Sequence, residues 1–185
     1  MREEETFCVE NATDAHLQWL LIVGIFVANK PAKRMVALAE ELLRRGARGS
    51  DDTPFECLYQ LGNSLREELE DLKTGQYTRI EKALARIIYL DPRTCSLEDL
   101  EAVPGIGPKT ARWFLMRTRP GVRLAALDTH ILKWLRGHGY DVPKNTPTGR
   151  RYRHIEQIFL AECDRRDKTP AELDLEIWRS YADAR

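Results

Sequence analysis

The sequence has no excess of charge of either sign: 29 Lys and Arg balance 29 Asp and Glu, for a formal net charge of zero. This excludes a generic polycation that would hold nucleic acid by bulk charge, although a local basic surface remains open. Cysteine is sparse. Cys8, Cys57, Cys95 and Cys163 lie far apart, with no CxxC pair and no Cys/His ligand spacing, so no metal site is expected. Isolated cysteines behind an acidic opening, MREEETF, fit a protein of the reducing cytoplasm rather than one led by a basic secretory segment. Long apolar runs are missing as well. The most apolar stretch, Leu17 to Ala28, reaches about two-thirds of the ~18 residues that suggest a membrane span. No membrane association is expected. Alternating strand patterns, internal repeats and low-complexity tracts are also absent.

What is present is helical patterning and an uneven distribution of charge. The 185 residues, 43% hydrophobic and 31% charged, suit one domain or two small lobes with a buried core. Between Gly105 and Arg153 stand eleven Lys and Arg against only Asp128 and Asp141; the first 92 residues carry twelve basic and sixteen acidic groups. Such asymmetry points either to a polyanion-binding face on the C-terminal half or to a solvated helical surface.

Helices are expected at Ala15–Ala28, Pro31–Arg45, Pro54–Leu61, Ser64–Leu72, Tyr77–Leu90, Leu97–Val103, Thr129–Arg136, Thr148–Asp167 and Ala171–Tyr181, with another after the turn at Gly105. The first is apolar on nearly all sides and belongs in the centre of the domain. Thr53-Pro54, Ser96 with Asp99, and Thr169-Pro170 carry start signals. The fold class is therefore all-α, a bundle of roughly ten helices.

Ser96 to Arg136 organises the rest. At its heart is Val103–Ala111, VPGIGPKTA. Gly105 and Gly107 allow positive φ and close approach of another backbone. Amides of such a turn and of the helix start can cradle a phosphate, with Thr110 and Arg112 adding side-chain contacts that position DNA without reading it. A tight helix–helix turn with no ligand is the plainer reading of these residues alone. Lys109, in the first turn of the following helix, sits where the dipole disfavours an added ammonium charge. It is either a nucleophile or a phosphate-binding lysine. Asp128, the second residue of LDTHI, can cap the helix it precedes.

Taken together, VPGIGPKTA and LDTHI, nineteen residues apart from Lys109 to Asp128, resemble the hairpin L-P-G-[VI]-G-x-K-T-A and the V-D-T-H-[IV] segment of the endonuclease III superfamily of helix-hairpin-helix DNA glycosylases. LLIVGIFVANKPAKR (Leu20–Arg34) is similar to that family's early core helix and loop, and TGQYTRIEKALARII (Thr74–Ile88) to its segment before the hairpin. The cysteine set of the iron–sulfur subfamily is missing. The short archaeal-type 8-oxoguanine DNA glycosylases also lack it, and they end in a segment similar to LDLEIW (Leu173–Trp178). Their terminal lysine has no counterpart in the tail RSYADAR.

The resemblance implies one unit over residues 1–185, without an iron–sulfur cluster. Its two lobes would be 30–125, a hairpin-containing helical barrel, and 1–29 with 126–185, the terminal helices. It implies a glycosylase and AP lyase in which Lys109 attacks the sugar C1′ and forms an imine, while Asp128 stabilises positive charge at the sugar. Asn29 would be a wedge for the vacated stack, or a helix C-cap. Trp113, Asp174 and Trp178 are candidates for the base pocket, each also readable as core or cap. From their charge, Lys133, Arg136 and Arg150-Arg151-Arg153 are read as DNA-backbone contacts or, individually, as solvated surface. No cofactor is required, although the family leaves room for a monovalent cation at the hairpin carbonyls. The expected partner is duplex DNA with a damaged base, bound by a monomer. The lesion expected is 8-oxoguanine; an oxidised pyrimidine or mismatched thymine is a second reading, and a non-catalytic DNA-binding module a third.

Overall fold

The computed structural model describes residues 9–28 and 30–182; Asn29 and the last residues of the tail lie outside them. All its regular elements are helices: α1 (Asp14–Val27), α2 (Ala32–Gly46), α3 (Pro54–Leu61), α4 (Leu65–Asp71), α5 (Tyr77–Ile87), α6 (Leu97–Glu101), α7 (Pro108–Thr118), α8 (Thr129–Gly137), α9 (Gly149–Arg165) and α10 (Pro170–Ala182). A 3-10 turn, Gly62–Ser64, leads into α4.

Local chemistry sets most helix starts. Thr53 and Glu56 form a reciprocal capping box on α3, and Ser96 and Asp99 form another on α6. The Thr169 hydroxyl accepts from the Glu172 N–H at 3.3 Å while Glu172 accepts from the Thr169 N–H at 2.8 Å, which starts α10. Each box satisfies amides that the first helical turn leaves unpaired. Helix α5 stops at Ile87, short of the expected Leu90. There the Tyr89 and Leu90 amides reach back three residues, to the Arg86 and Ile87 carbonyls, and the chain turns into Asp91-Pro92.

Two apolar clusters result. The larger gathers α1 to α7 around Leu20–Ile25, Phe26, Leu42, Leu69, Leu84 and Phe114. The smaller joins the segment before α8 to α8, α9 and α10 through Leu127, Ile131, Leu135, Tyr152, Phe159, Leu173 and Ile177. The expected lobes grouped residues 1–29 with the C-terminal helices. Helix α1 instead packs against α2, α3, α5 and α7. The reason lies in its composition: with Leu17, Leu20–Phe26 all buried, it needs neighbours on every side, and the larger cluster supplies them. Helix α10 crosses the seam, touching α8, α9 and α7.

Candidate active site

At that seam lies a cavity of about 210 Å³, lined by Val27 and Ala32 from α1 and α2, Lys109, Trp113 and Arg117 from α7, Ala126 and Asp128, and Asp174, Leu175 and Trp178 from α10. Of the residues expected to do chemistry or hold the base, Lys109, Asp128, Trp113, Asp174 and Trp178 all line it. Asn29, the expected wedge, falls outside the described residues.

Each wall is built by helix periodicity. Lys109, Trp113 and Arg117 recur every four residues, as do Asp174 and Trp178, so each set shares one face of its helix. Gly24 on α1 lets Trp113 lie close: a Cβ at Gly24 would stand 3.0 Å from the indole ring. The Arg117 guanidinium sits 5.9 Å from the Trp113 ring centroid. Arg117 was not among the expected site residues, although its place four residues after Trp113 was readable.

Asp128 caps α8. Its Oδ1 accepts from the His130 and Ile131 amides, both at 2.8 Å, while the residue also borders the cavity. Asp174 is different. Burial pushes its carboxyl up to about 7; the Asp128 carboxylate pushes the same way, and Arg117 and Lys109 pull it down. A carboxylic acid held near neutrality can donate as well as accept a hydrogen bond.

Of the side chains expected to add to the grip on the DNA backbone, those of Thr110 and Arg112 are buried. Gly105 has φ +97°, and a Cβ there would stand 2.5 Å from the Arg79 carbonyl. The glycine thus serves close packing against α5. Its own carbonyl accepts from Arg79 Nη1 at 3.1 Å, and Arg79 Nη2 reaches the Ile25 carbonyl at 2.8 Å. Gly107 has φ −94°, is exposed and faces open space. Thr110 is buried, its methyl near Gly24. Arg112, only 3% exposed, donates from Nε to Glu156 at 2.7 Å and from Nη1 to Glu101. Burial works against its charge, but the two carboxylates outweigh it and raise its pKa. Neither side chain is free to solvent, and the buried Glu156 and surface Glu101 carboxylates hold Arg112.

The basic segment is likewise thinner than its charge count. Arg119 donates to the Cys95 carbonyl, Arg123 pairs with Asp164 at 2.9 Å, and Arg136 donates to the Pro143 carbonyl at 2.6 Å. Lys133 lies 4.4 Å from the Tyr181 ring centroid. Arg150, Arg151 and Arg153 are exposed. Among the described residues no group of three or more His, Cys, Asp or Glu is arranged to hold a metal ion, and no helix is long and apolar enough to cross a membrane.

An all-helical chain whose residues 93–113 match the helix-hairpin-helix motif model falls in the helix-hairpin-helix class. Its relatives are more specific. The 8-oxoguanine DNA glycosylase/AP lyase of Thermotoga sp. strain RQ2 is 38% identical over 179 residues, 95% of this chain and 79% of that one. The enzyme of the same name from Thermotoga maritima is 36% identical over the same spans. The crystal structure of Methanocaldococcus jannaschii 8-oxoguanine glycosylase/lyase in complex with 15mer DNA containing 8-oxoguanine has the same fold, with a TM-score of 0.71 at 23% identity over 95% of this chain and 84% of that one. The chain belongs to the 8-oxoguanine DNA glycosylase/AP lyase family.

Proposed function

We propose that this protein excises 8-oxoguanine from duplex DNA and then cleaves the strand at the resulting abasic site, with Lys109 as nucleophile and Asp128 as its electrostatic partner. The observation that carries the proposal is the meeting of Lys109 and Asp128 in one cavity walled by Trp113 and Trp178. A volume of about 210 Å³ lies below the ~300–1,000 Å³ of pockets for larger ligands, and is of the scale of one extruded base. Reaching C1′ requires that extrusion.

In this reading the Lys109 amine attacks C1′, the glycosidic bond breaks, and the base leaves with its electron pair and takes up the proton that the attacking nitrogen gives up. The Asp128 carboxylate stabilises the positive charge that develops at the sugar. The sugar ring opens to a Lys109 imine. Loss of a C2′ proton expels the 3′ phosphate by β-elimination, and water releases the lysine. Asp174 and the two tryptophans hold the base, Asp174 with a proton available near neutral pH. Gly107 and the exposed Arg150, Arg151 and Arg153 support the backbone grip. The protein acts as a monomer, which sedimentation with and without duplex tests. No step uses a metal or a monovalent cation.

Borohydride trapping on a duplex with 8-oxoguanine opposite cytosine tests the chemistry. Reduction of the imine leaves a covalent protein–DNA adduct, and Lys109→Gln abolishes it together with strand cleavage. Absence of an adduct from the unaltered protein on lesion-bearing and abasic duplexes would sink the lyase, and duplex binding without base release would favour a non-catalytic module.

A further inference from the structure

We propose that Tyr152 and Glu156 of α9 are positioning residues, which set Asp128 against Lys109 by clamping the three residues before it. The inference rests on the reading of Asp128 as the electrostatic partner of Lys109.

Asp128 is held on its C-terminal side by its cap on α8, but residues 125–127, which lead to it, have no regular secondary structure. Side chains hold that approach in place. The Tyr152 hydroxyl donates to the Ala125 carbonyl at 2.7 Å and accepts from the Leu127 N–H at 2.9 Å. The Ala125 N–H donates to Glu156 Oε1 at 2.8 Å, and Thr146 Oγ1 donates to the Leu127 carbonyl at 3.1 Å. Tyr152, Glu156, Ala125 and Leu127 are all buried, so no water competes for these bonds. Tyr152 and Glu156, four apart on α9, act from one face of that helix.

The same clamp reaches the nucleophile's helix. Glu156 Oε1, the oxygen that takes the Ala125 amide, also takes Arg112 Nε at 2.7 Å. The Arg112 guanidinium lies 4.6 Å from the Tyr152 ring centroid. Arg112 stands three residues after Lys109 on α7. One buried network therefore ties the helix that bears Lys109 to the segment that bears Asp128, with α9 as the common anchor. Misplacing a reacting group by about 1 Å can cost on the order of 100-fold in rate, so loosening this tie should act on the chemical step more than on DNA binding.

Tyr152→Phe keeps the ring and removes both hydroxyl bonds. Single-turnover excision of 8-oxoguanine is expected to slow about 10-fold. Duplex affinity, compared between Lys109→Gln and Lys109→Gln/Tyr152→Phe, should stay within about twofold. The deciding measurement is the cycle with Asp128→Asn. If Tyr152 acts through Asp128, adding Tyr152→Phe to Asp128→Asn should slow excision by no more than about twofold. Equal slowing in both backgrounds overturns the inference while leaving Asp128 its role. No slowing by Asp128→Asn alone overturns the reading of Asp128 and this inference with it. Should Tyr152→Phe fail to fold, Glu156→Gln serves in the same cycle. It retains an acceptor for Ala125 and loses the charge facing Arg112, and its slowing should likewise vanish with Asp128→Asn.

Discussion

Lys109, Trp113 and Arg117 line the cavity at intervals of four, whereas Thr110, Ala111, Arg112 and Phe114, interleaved with them in the chain, are buried in the protein. The two faces of α7 carry similar residue types: each has a long cation. What separates them is phase. Lys109 and Arg117 point their charge into an open cavity beside Asp174, while Arg112, one turn away from either, is enclosed by Glu101, Glu156 and the Tyr152 ring. Positive charge on a helix-hairpin-helix is therefore not one property. On one stripe it serves the site, and on the other it joins the two clusters.

The largest effect should come from the buried stripe. Arg112→Met leaves the buried Glu156 carboxylate without its guanidinium, and should lower the unfolding free energy by about 3–5 kcal/mol, read from urea denaturation. If the variant instead kept its stability and lost duplex affinity, the assignment of the two faces would be reversed. Gly105→Ala comes next. A side chain at φ +97° whose Cβ stands 2.5 Å from the Arg79 carbonyl must displace the turn or α5, at a cost of about 1–3 kcal/mol. The same substitution at Gly107, with open space around it and an ordinary φ, should leave stability within about 0.5 kcal/mol, so the pair of glycines repeats the contrast of the two faces.

The same phase explains what could be read from the chain alone. The all-helical fold was plain from the patterning, and α1 was readable as central because no face of it is polar. Lys109 and Asp128 stood out by motif, and Asp174 and Trp178 by a similar segment; all four border one cavity. Arg112 was misread because its partners Glu101 and Glu156 lie 11 and 44 positions away, and nothing local distinguishes a cation with buried partners from a solvated one. Thr110 failed for the same reason, its neighbour Gly24 being on α1. Arg117 was counted only as charge, when its spacing from Trp113 already gave it the cavity face. The clamp on residues 125–127 could not be seen in advance, since it joins backbone groups that no side-chain motif marks.

On the cavity side, Asp174 offers a smaller effect with a definite pH dependence. Its carboxyl is raised from 3.8 to about 7 by burial, and then by Asp128. Below about pH 4 both folded and unfolded states hold the proton, and the group contributes nothing to the pH dependence. Between there and about 7 the unfolded chain releases it first, so the folded state binds more protons and stability falls as pH rises. Above about 7 both are ionised and the penalty is constant. Asp174→Asn removes the penalty. Because Asp174 keeps part of its surface in the cavity, the variant should be more stable than the unaltered protein by about 1–2 kcal/mol at pH 8, and no more stable at pH 4. A gain that is equal at both pH values would break the link to ionisation. On the proposed role of Asp174 at the base, excision should fall in the variant, since one carboxyl oxygen is replaced by an amide NH2 that cannot accept a hydrogen bond.

A small effect on stability, and the one that sharpens the comparison most, belongs to Arg117. Its guanidinium lies near the Trp113 ring and lowers the Asp174 carboxyl against burial. Arg117→Met keeps most of the aliphatic packing, so the unfolding free energy should change by about 0.5 kcal/mol, well below the loss from Arg112→Met on the same helix. Its signature lies elsewhere. With one cation gone from the cavity, Asp174 holds its proton to higher pH, and the alkaline limb of the excision rate against pH should move upward, by less than the full shift that burial causes. Arg117→Lys should move it back. A profile that stays in place in Arg117→Met, with stability also unchanged, would take Arg117 out of the site and leave Lys109 and Trp113 as the working face of α7.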